Sequence, residues 1–203
     1  MMKAAKNIIV LTVITVLAGL LLGYVYDITK GPIADAQEKA KQEAYKSVFS
    51  SADHFGALEG FDMEAATNKA LASGLSGVSI DEASIAYDAA GNALGYVLTV
   101  TSSEGYGGDV TLSMGVTNDG TINGIEFLSL SETAGLGMKA DTDDFKNQFR
   151  GMNAAQISYT KAGKQNDYEI DAISGATITT SAVTNAVNAG LNYYESIGGA
   201  ANE

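Results

Sequence analysis

Residues 171–177, Asp-Ala-Ile-Ser-Gly-Ala-Thr, have the types and the spacing to hold a phosphate group. They place the Thr177 hydroxyl after a Ser-Gly-Ala turn and before a helix-like run. The first N–H groups of a helix lack partners and carry a partial positive charge, which suits an anion. Gly175 and Ala176 are small enough to let a bulky anion approach the backbone. We therefore predict a phosphate on, or bonded to, Thr177. The alternative is a capped helix start with Ser174 or Thr177 as N-cap.

The pattern Asp-x-x-Ser-Gly-Ala-Thr resembles the flavinylation motif of the FMN-binding domain family. In that family the final Thr carries FMN through a phosphoester bond, which a flavin transferase makes with FAD as the donor. The resemblance implies that Thr177 is the attachment residue for covalent FMN. It also implies that the transferase recognises Asp171, Ser174, Gly175 and Ala176.

Residues 104–109 form a candidate wall of the cofactor site. Three glycines surround Tyr106 in this segment, which lies between two predicted strands. A flat ring would be able to approach the main chain at Gly107 and to stack on Tyr106. The alternative is a flexible hairpin loop.

Residues 131–139 form a second candidate wall. They resemble another signature of the family, Glu-Thr-Pro-Gly-Leu-Gly, with Ala134 where the family commonly has Pro. Leu136 and Met138 would offer an apolar platform, and Lys139 would place a positive charge near the flavin. The alternative is a glycine-rich connection between a strand and a helix. The resemblance assigns Glu132, Thr133, Gly135, Leu136, Gly137 and Lys139 to the cofactor site.

The composition excludes several classes of function. The 203 residues carry a formal net charge of −12, with no Cys and one His, His54. This balance lacks the basic footprint of a nucleic-acid-binding protein. The absence of Cys excludes disulfides, cysteine-ligated iron–sulfur clusters and thiolate zinc sites. Redox chemistry would therefore depend on an organic cofactor. We predict no catalytic residue and no metal site, and we interpret His54 as a surface residue.

The N-terminal region is predicted to be a membrane anchor. No charged residue lies between Lys6 and Asp27, and about twenty helical residues span the hydrocarbon core of a bilayer. Lys3 and Lys6 favour a cytoplasmic N-terminus and an exported domain. A cleaved signal peptide is the alternative. Pro32 is predicted to open a juxtamembrane helix. The expected division is 1–28 for the transmembrane anchor, 29–50 for the juxtamembrane helix and 51–203 for the extracytoplasmic FMN-binding domain.

The apolar periodicity indicates an α+β domain, in which an antiparallel sheet is flanked by helices. From residue 83 the period is 2, with a hairpin turn at residues 118–120. Helices are predicted at 63–72 and 141–149, the latter with Phe145 and Phe149 inward. The helix after Thr177 is predicted to bury Val183, Ala186, Val187, Leu191 and Tyr194. Strands are predicted around residues 85–87, 94–100, 110–116 and 122–130, and a last hairpin at 157–159 and 168–170.

The order of the signatures and the anchor look most like the G subunit of the Rnf complex, an ion-translocating ferredoxin:NAD oxidoreductase. The resemblance implies an electron-carrying subunit with covalent FMN rather than an enzyme by itself. Its implied partners are the other membrane subunits of such a complex and, during maturation, the flavin transferase. Two alternatives remain: a stand-alone surface flavoprotein for extracellular electron transfer, and a membrane-tethered binding module without a cofactor.

Overall fold

The computed structural model of the protein describes residues 2–197, with the side chains of residues 5–197. The contacts of the chain form two units, Met1–Ala40 and Lys41–Glu203. The predicted domain end at residue 203 and the side chain of Lys3 lie outside the described part. Helix α1, Met2–Val48, supplies the first unit and, through residues 41–48, a segment of the second.

The first unit contains the predicted anchor. In the described part of the chain, α1 alone is long and apolar enough to cross a membrane, by length and composition. Two threonine hydroxyls in its apolar stretch are satisfied within the helix: Thr12 donates to the Ile8 carbonyl and Thr15 donates to the Thr12 carbonyl, both at 2.9 Å. Such internal bonding is what a hydrocarbon environment demands.

The predicted helix start at Pro32 is wrong, because α1 continues through this residue. Proline has no N–H to donate to the carbonyl of Ile28, so one hydrogen bond of the helix is missing there. The residues that follow, 34–48, contain many Ala, Glu and Lys, which favour the helix on the C-terminal side. The sequence signal of a proline at a first turn is therefore overridden by its neighbours.

The second unit is built on a five-stranded antiparallel sheet in the order β1-β2-β3-β4-β5. The predicted strands and the turn at residues 118–120 are confirmed. Strand β1, which carries the exposed His54 stacked on Tyr87 at 5.2 Å between ring centroids, was not predicted. It has four residues, too few for an alternating pattern to be recognised. The strands are β1 His54–Ala57, β2 Val78–Tyr87, β3 Ala93–Ser102, β4 Val110–Thr117 and β5 Ile122–Leu130.

Two helices, α2 Met63–Leu71 and α4 Thr177–Ile197, pack against one face of this sheet. Both were predicted, and α2 is capped by the Asp62 carboxylate, which accepts from the Ala65 amide at 2.7 Å. The opposite face is covered in part by residues 41–52, including Tyr45 and Phe49. The predicted inner stripe of α4 is buried at every position: Val183, Ala186, Val187, Leu191 and Tyr194.

The predicted helix at residues 141–149 is shorter in the structure, and a separate 3₁₀ helix precedes it. A 3₁₀ helix covers Gly137–Asp141, and α3 covers Asp143–Lys146. Thr142 between them is extended, with ψ of 149°, so the two pieces cannot merge. Phe145 and Phe149 are buried, as predicted.

The predicted last hairpin is also wrong, because strands β6 Ser158–Thr160 and β7 Glu169–Asp171 pair in parallel. Residues 161–168 therefore lead from the end of β6 back to the level of its start, where β7 begins. Carboxylates of β7 hold this return: Asp171 accepts from the Lys164 amide at 2.7 Å, and Glu169 accepts from the Gln165 amide at 2.9 Å. Alternation alone predicts two strands but not their relative direction.

Asn188 of α4 fixes the start of β6 through two hydrogen bonds in the core. Its Oδ1 accepts from the Ile157 amide at 2.7 Å, and its Nδ2 donates to the Ile157 carbonyl at 2.8 Å. We predict that Asn188→Ala lowers the free energy of unfolding by about 2 kcal/mol, because two buried backbone groups lose their partners. The melting temperature of the full chain in lipid nanodiscs should fall by about 4–8 °C.

Asn192→Ala is the matched control. Asn192 lies one turn further along α4 and bonds Ala70 and Ser73 at a partly exposed position. Its loss should lower the melting temperature by less. An equal fall in melting temperature in the two variants would show that the buried hydrogen bonds of Asn188 stabilise the domain no more than the partly exposed bonds of Asn192.

Candidate functional site

The Ser-Gly-Ala turn before α4 is locked by three hydrogen bonds. The Ala176 amide donates to the Ile173 carbonyl at 3.0 Å. The buried Thr180 hydroxyl accepts from the Ile173 amide at 3.1 Å and donates to the Ala176 carbonyl at 2.9 Å. Gly175 has φ of +80°, which L side chains rarely adopt. The turn therefore holds Thr177 at the first position of α4.

The start of α4 leaves backbone donors free. Within the described chain, no hydrogen bond is formed by the amides of Thr177, Ile178 or Thr179. Among the described residues, the side chains of Ser174 and Thr177 form no capping hydrogen bond with the start of α4. The N-cap alternative is therefore not realised, and the half-buried Thr177 side chain stands beside unsatisfied N–H groups.

The three predicted segments meet at this helix start around a cleft of about 510 Å³. The first wall comes from the β3–β4 loop, the second from the segment after β5, and the third from the turn and the first residues of α4. The lining residues are Tyr106, Glu132, Thr133, Leu136, Gly137, Gly175, Ala176, Thr177, Ile178 and Thr179. Tertiary structure thus brings together residues that lie up to 73 positions apart in the chain, from 106 to 179.

Glu132 joins the first two walls. Its Oε1 accepts from the Tyr106 amide at 2.9 Å. A Cβ at Gly107 would lie 1.9 Å from the Ser131 carbonyl oxygen, and one at Gly137 would lie 2.7 Å from Glu132 Oε2. These positions require glycine for close contact. The 104–109 segment is therefore packed against its neighbour rather than projecting as an unattached loop.

The rim of the cleft is apolar and open to solvent. Tyr106 is 71% exposed, Ile178 53% and Leu136 42%. Glu132 is the one charged side chain in the described lining. Ile178 and Thr179 were missed as candidates, although an apolar residue in the exposed first turn of α4 is a usable signal. The surface suits a flat, largely apolar group with polar contacts at one end.

Several predicted site residues lie outside this lining. Lys139, Asp171 and Ser174 line a neighbouring depression of about 420 Å³. Asp171 is held there by Gln148, whose Oε1 accepts from its amide at 2.6 Å and whose Nε2 donates to its carbonyl at 3.3 Å. These two hydrogen bonds fix the backbone of Asp171, the first residue of the Asp-x-x-Ser-Gly-Ala-Thr motif, ahead of the Ser-Gly-Ala turn. Gly107, Gly135 and Met138 also lie outside the lining, and Gly135 has φ of +77°.

Comparisons with known proteins match the domain that contains the cleft and its fold. The model of the FMN-binding domain family matches residues 105–192, which include all three walls. The crystal structure of NqrC from Shewanella oneidensis has the same fold, with a TM-score of 0.50 and 19% identity over 61% of this chain and 61% of that chain.

Similarity over nearly the whole chain specifies the family further. The G subunit of the ion-translocating oxidoreductase complex of Methanosarcina acetivorans is 32% identical over 94% of each chain. The G subunit of the Na(+)-translocating ferredoxin:NAD(+) oxidoreductase complex of Acetobacterium woodii is 31% identical over 93% of this chain and 90% of its own. The chain belongs to the family of G subunits of ion-translocating oxidoreductase complexes.

The bond between Glu132 and Tyr106 yields a test of the cleft. We predict that Glu132→Ala raises the hydrogen-exchange rate of the Tyr106 amide by roughly tenfold, because the amide loses its acceptor. Glu132→Gln retains a side-chain oxygen and should change the rate less. The Ser103 amide, which donates to the Gly77 carbonyl at 2.8 Å, serves as the internal control. Equal rates for Tyr106 in all three proteins would remove Glu132 from this role.

Proposed function

We propose that this protein is a membrane-anchored electron-transfer subunit of an ion-translocating ferredoxin:NAD oxidoreductase complex, with FMN bonded through its phosphate to Thr177. The proposal rests chiefly on one observation: Thr177 lines the cleft at the first turn of α4, whose amides are free of hydrogen bonds among the described residues. The names of the similar G subunits support the place in a complex. The match to the FMN-binding domain family supports the identity of the cofactor.

The residues present fit the phosphate end of FMN. Free N–H groups at a helix start stabilise a phosphoester, which keeps a negative charge. Gly175 and Ala176 line the cleft without side chains that would crowd such a group. The locked turn would hold Thr177 at this position whether or not the cofactor is attached.

The residues also fit the ring end of FMN. Tyr106, Leu136 and Ile178 offer apolar surface, and the cleft volume of about 510 Å³ is in the usual range for cofactor sites. FMN accepts and donates electrons singly or in pairs, so one carrier can connect a partner that transfers one electron with a partner that transfers two. The exposed rim would leave the ring accessible to a partner subunit. Lys139 would act from the neighbouring depression through its charge rather than by contact.

Attachment is a group transfer to Thr177. The Thr177 oxygen attacks the FMN phosphorus of FAD, the phosphorus–oxygen bond to the AMP half breaks, and AMP leaves. The hydroxyl proton passes to a base of the flavin transferase, which also recognises Asp171 and Ser174. In later electron transfer Thr177 is an anchor and takes no proton.

The proposed topology explains why the cofactor is covalent. Lys3 and Lys6 would keep the N-terminus in the cytoplasm, and α1 would carry the chain outward. An exported domain has no access to the cytoplasmic pool of free FMN. A covalent bond then prevents loss of the cofactor. The other membrane subunits of the complex would be its partners.

The first test concerns the attachment residue. Thr177→Ala should abolish covalent flavin in cells that hold the transferase, while the domain stays folded, because the side chain caps nothing in the described structure. Intact-mass analysis and the yellow colour of denatured protein measure the label. Thr133→Ala is the matched control, since Thr133 lines the same cleft outside the motif. A flavin adduct on Thr177→Ala would refute the assignment of Thr177.

The second test concerns topology. Protease added to intact protoplasts should digest the domain of the membrane-embedded protein. A reporter fused after residue 203 should be active outside the cytoplasm. A reporter fused before residue 1 is the control and should be protected. Complete protection of the domain would reverse the orientation and remove the stated reason for a covalent cofactor.

A further inference from the structure

A second pocket lies near the other end of α4. Its volume is about 540 Å³. Tyr193, one of its lining residues, is about 24 Å further along the helix axis than Thr177, at the rise of an α-helix. The pocket is therefore separate from the cleft, and the proposed function does not use it. Its apolar and aromatic walls are Leu58, Phe61, Ile85, Tyr96, Tyr193 and Ile197.

Two phenol groups in this pocket have no partner. Tyr96 is 6% exposed and Tyr193 is 4% exposed, and both line the pocket. Within residues 2–197 neither hydroxyl forms a hydrogen bond, whereas the neighbouring Tyr194 hydroxyl donates to the Asn118 carbonyl at 2.9 Å. Among the described residues, the buried polar side-chain atoms without a partner do not include these two oxygens, so both hydroxyls open into the pocket, where a ligand can accept from them.

The two hydroxyls are donors at neutral pH. Burial, with a smaller contribution from a neighbouring tyrosine, raises the pKa of Tyr96 and that of Tyr193 above the ordinary value. Both phenols therefore stay protonated across the physiological range. A ligand that satisfies them as donors must supply two acceptor atoms.

The charges at the mouth of the pocket restrict the ligand further. Glu59 and Asp62 supply two carboxylates against the single ammonium of Lys69. This balance, in a chain of net charge −12, disfavours an anion. A metal ion or a simple ammonium ion would bring no acceptor for the phenols. A neutral molecule with acceptor oxygens meets both conditions.

We propose that this pocket binds a neutral planar ring that carries two hydrogen-bond-accepting oxygens, which is the chemistry of a quinone. The ring packs between Phe61, Ile85 and the tyrosine rings. Phe61 and Tyr193 already form an edge-to-face pair, with ring centroids 6.2 Å apart. The two oxygens accept from Tyr96 and Tyr193. The proposal concerns binding and does not depend on the modification of Thr177.

Equilibrium dialysis of the full chain in lipid nanodiscs tests the proposal. The probe is duroquinone, a fully substituted ring with two carbonyls. Durene, the same methylated ring without carbonyls, is the matched control, and empty nanodiscs correct for partition into lipid. The expected result is saturable binding of duroquinone, with binding of durene at least about fivefold weaker. Absence of saturable binding, or equal binding of durene, overturns the proposal.

Three variants place the bound probe. Tyr96→Phe and Tyr193→Phe keep the rings and should each weaken the binding of duroquinone by about fivefold, through loss of one hydrogen bond. Tyr194→Phe should leave the affinity unchanged, because its hydroxyl bonds Asn118 outside the pocket. Unchanged affinity in either pocket variant overturns the two-donor site. Thr177→Ala must retain binding, since its loss would place the probe in the cleft. Unchanged melting temperatures show that the variants are folded.

Discussion

The placement of α4 across the sheet is the constraint on which the candidate site depends. In its first half, Asn185 donates to the Glu104 carboxylate at 2.8 Å, and near its end the Tyr194 hydroxyl donates to the Asn118 carbonyl in the turn between β4 and β5. Between these points the helix lies close to the sheet, since a Cβ at Gly190 would be 2.0 Å from the sulfur of Met114. The start of α4 is thus fixed at the sheet end where β3 stops, β4 begins and β5 stops.

The loops at that sheet end are ordered by contact rather than by regular structure. Glu132 accepts a hydrogen bond from the Tyr106 amide. Gly107 lies close to the Ser131 main chain, and Gly137 lies close to side-chain atoms of Glu132 and Thr179, at distances that a Cβ would not permit. Two loop segments, together with the turn and first residues of α4, therefore present the cleft. The buried side chains of the sheet and α4 form one hydrophobic core, and the walls of the cleft are attached to the ends of these elements.

A half-open cleft is adequate when a cofactor is bound covalently. Non-covalent flavin would have to be retained by burial of its surface, and deep burial would separate the ring from a partner protein. Under the proposed function the bond at Thr177 removes that conflict. The apolar rim of Tyr106, Leu136 and Ile178 can then stay exposed for transfer to another subunit. A rim of this kind on an acidic domain is a surface that a partner would cover in an assembled complex.

The sequence by itself determined most strands of the main sheet, the inner face of α4 and the family to which the chain belongs. Alternation placed β2 to β5, and apolar spacing placed the inner stripe of α4, because these signals depend on the local repeat of each element. The residues 171–177 predicted a turn followed by a helix start without the fold, since a turn glycine and a following helix are local features. The comparisons with known proteins support the family that those residues suggested.

The tertiary structure alone decided how these pieces are arranged. It showed that β6 and β7 are parallel, that α1 passes through Pro32, and that Lys139 lies in a neighbouring depression instead of the cleft. It also added Ile178 and Thr179 to the cleft lining. Each of these facts depends on contacts between residues distant in the chain or on the competition between neighbouring segments. Local periodicity carries no information about such contacts, so only the packing of α4 and the loops against the sheet could settle them.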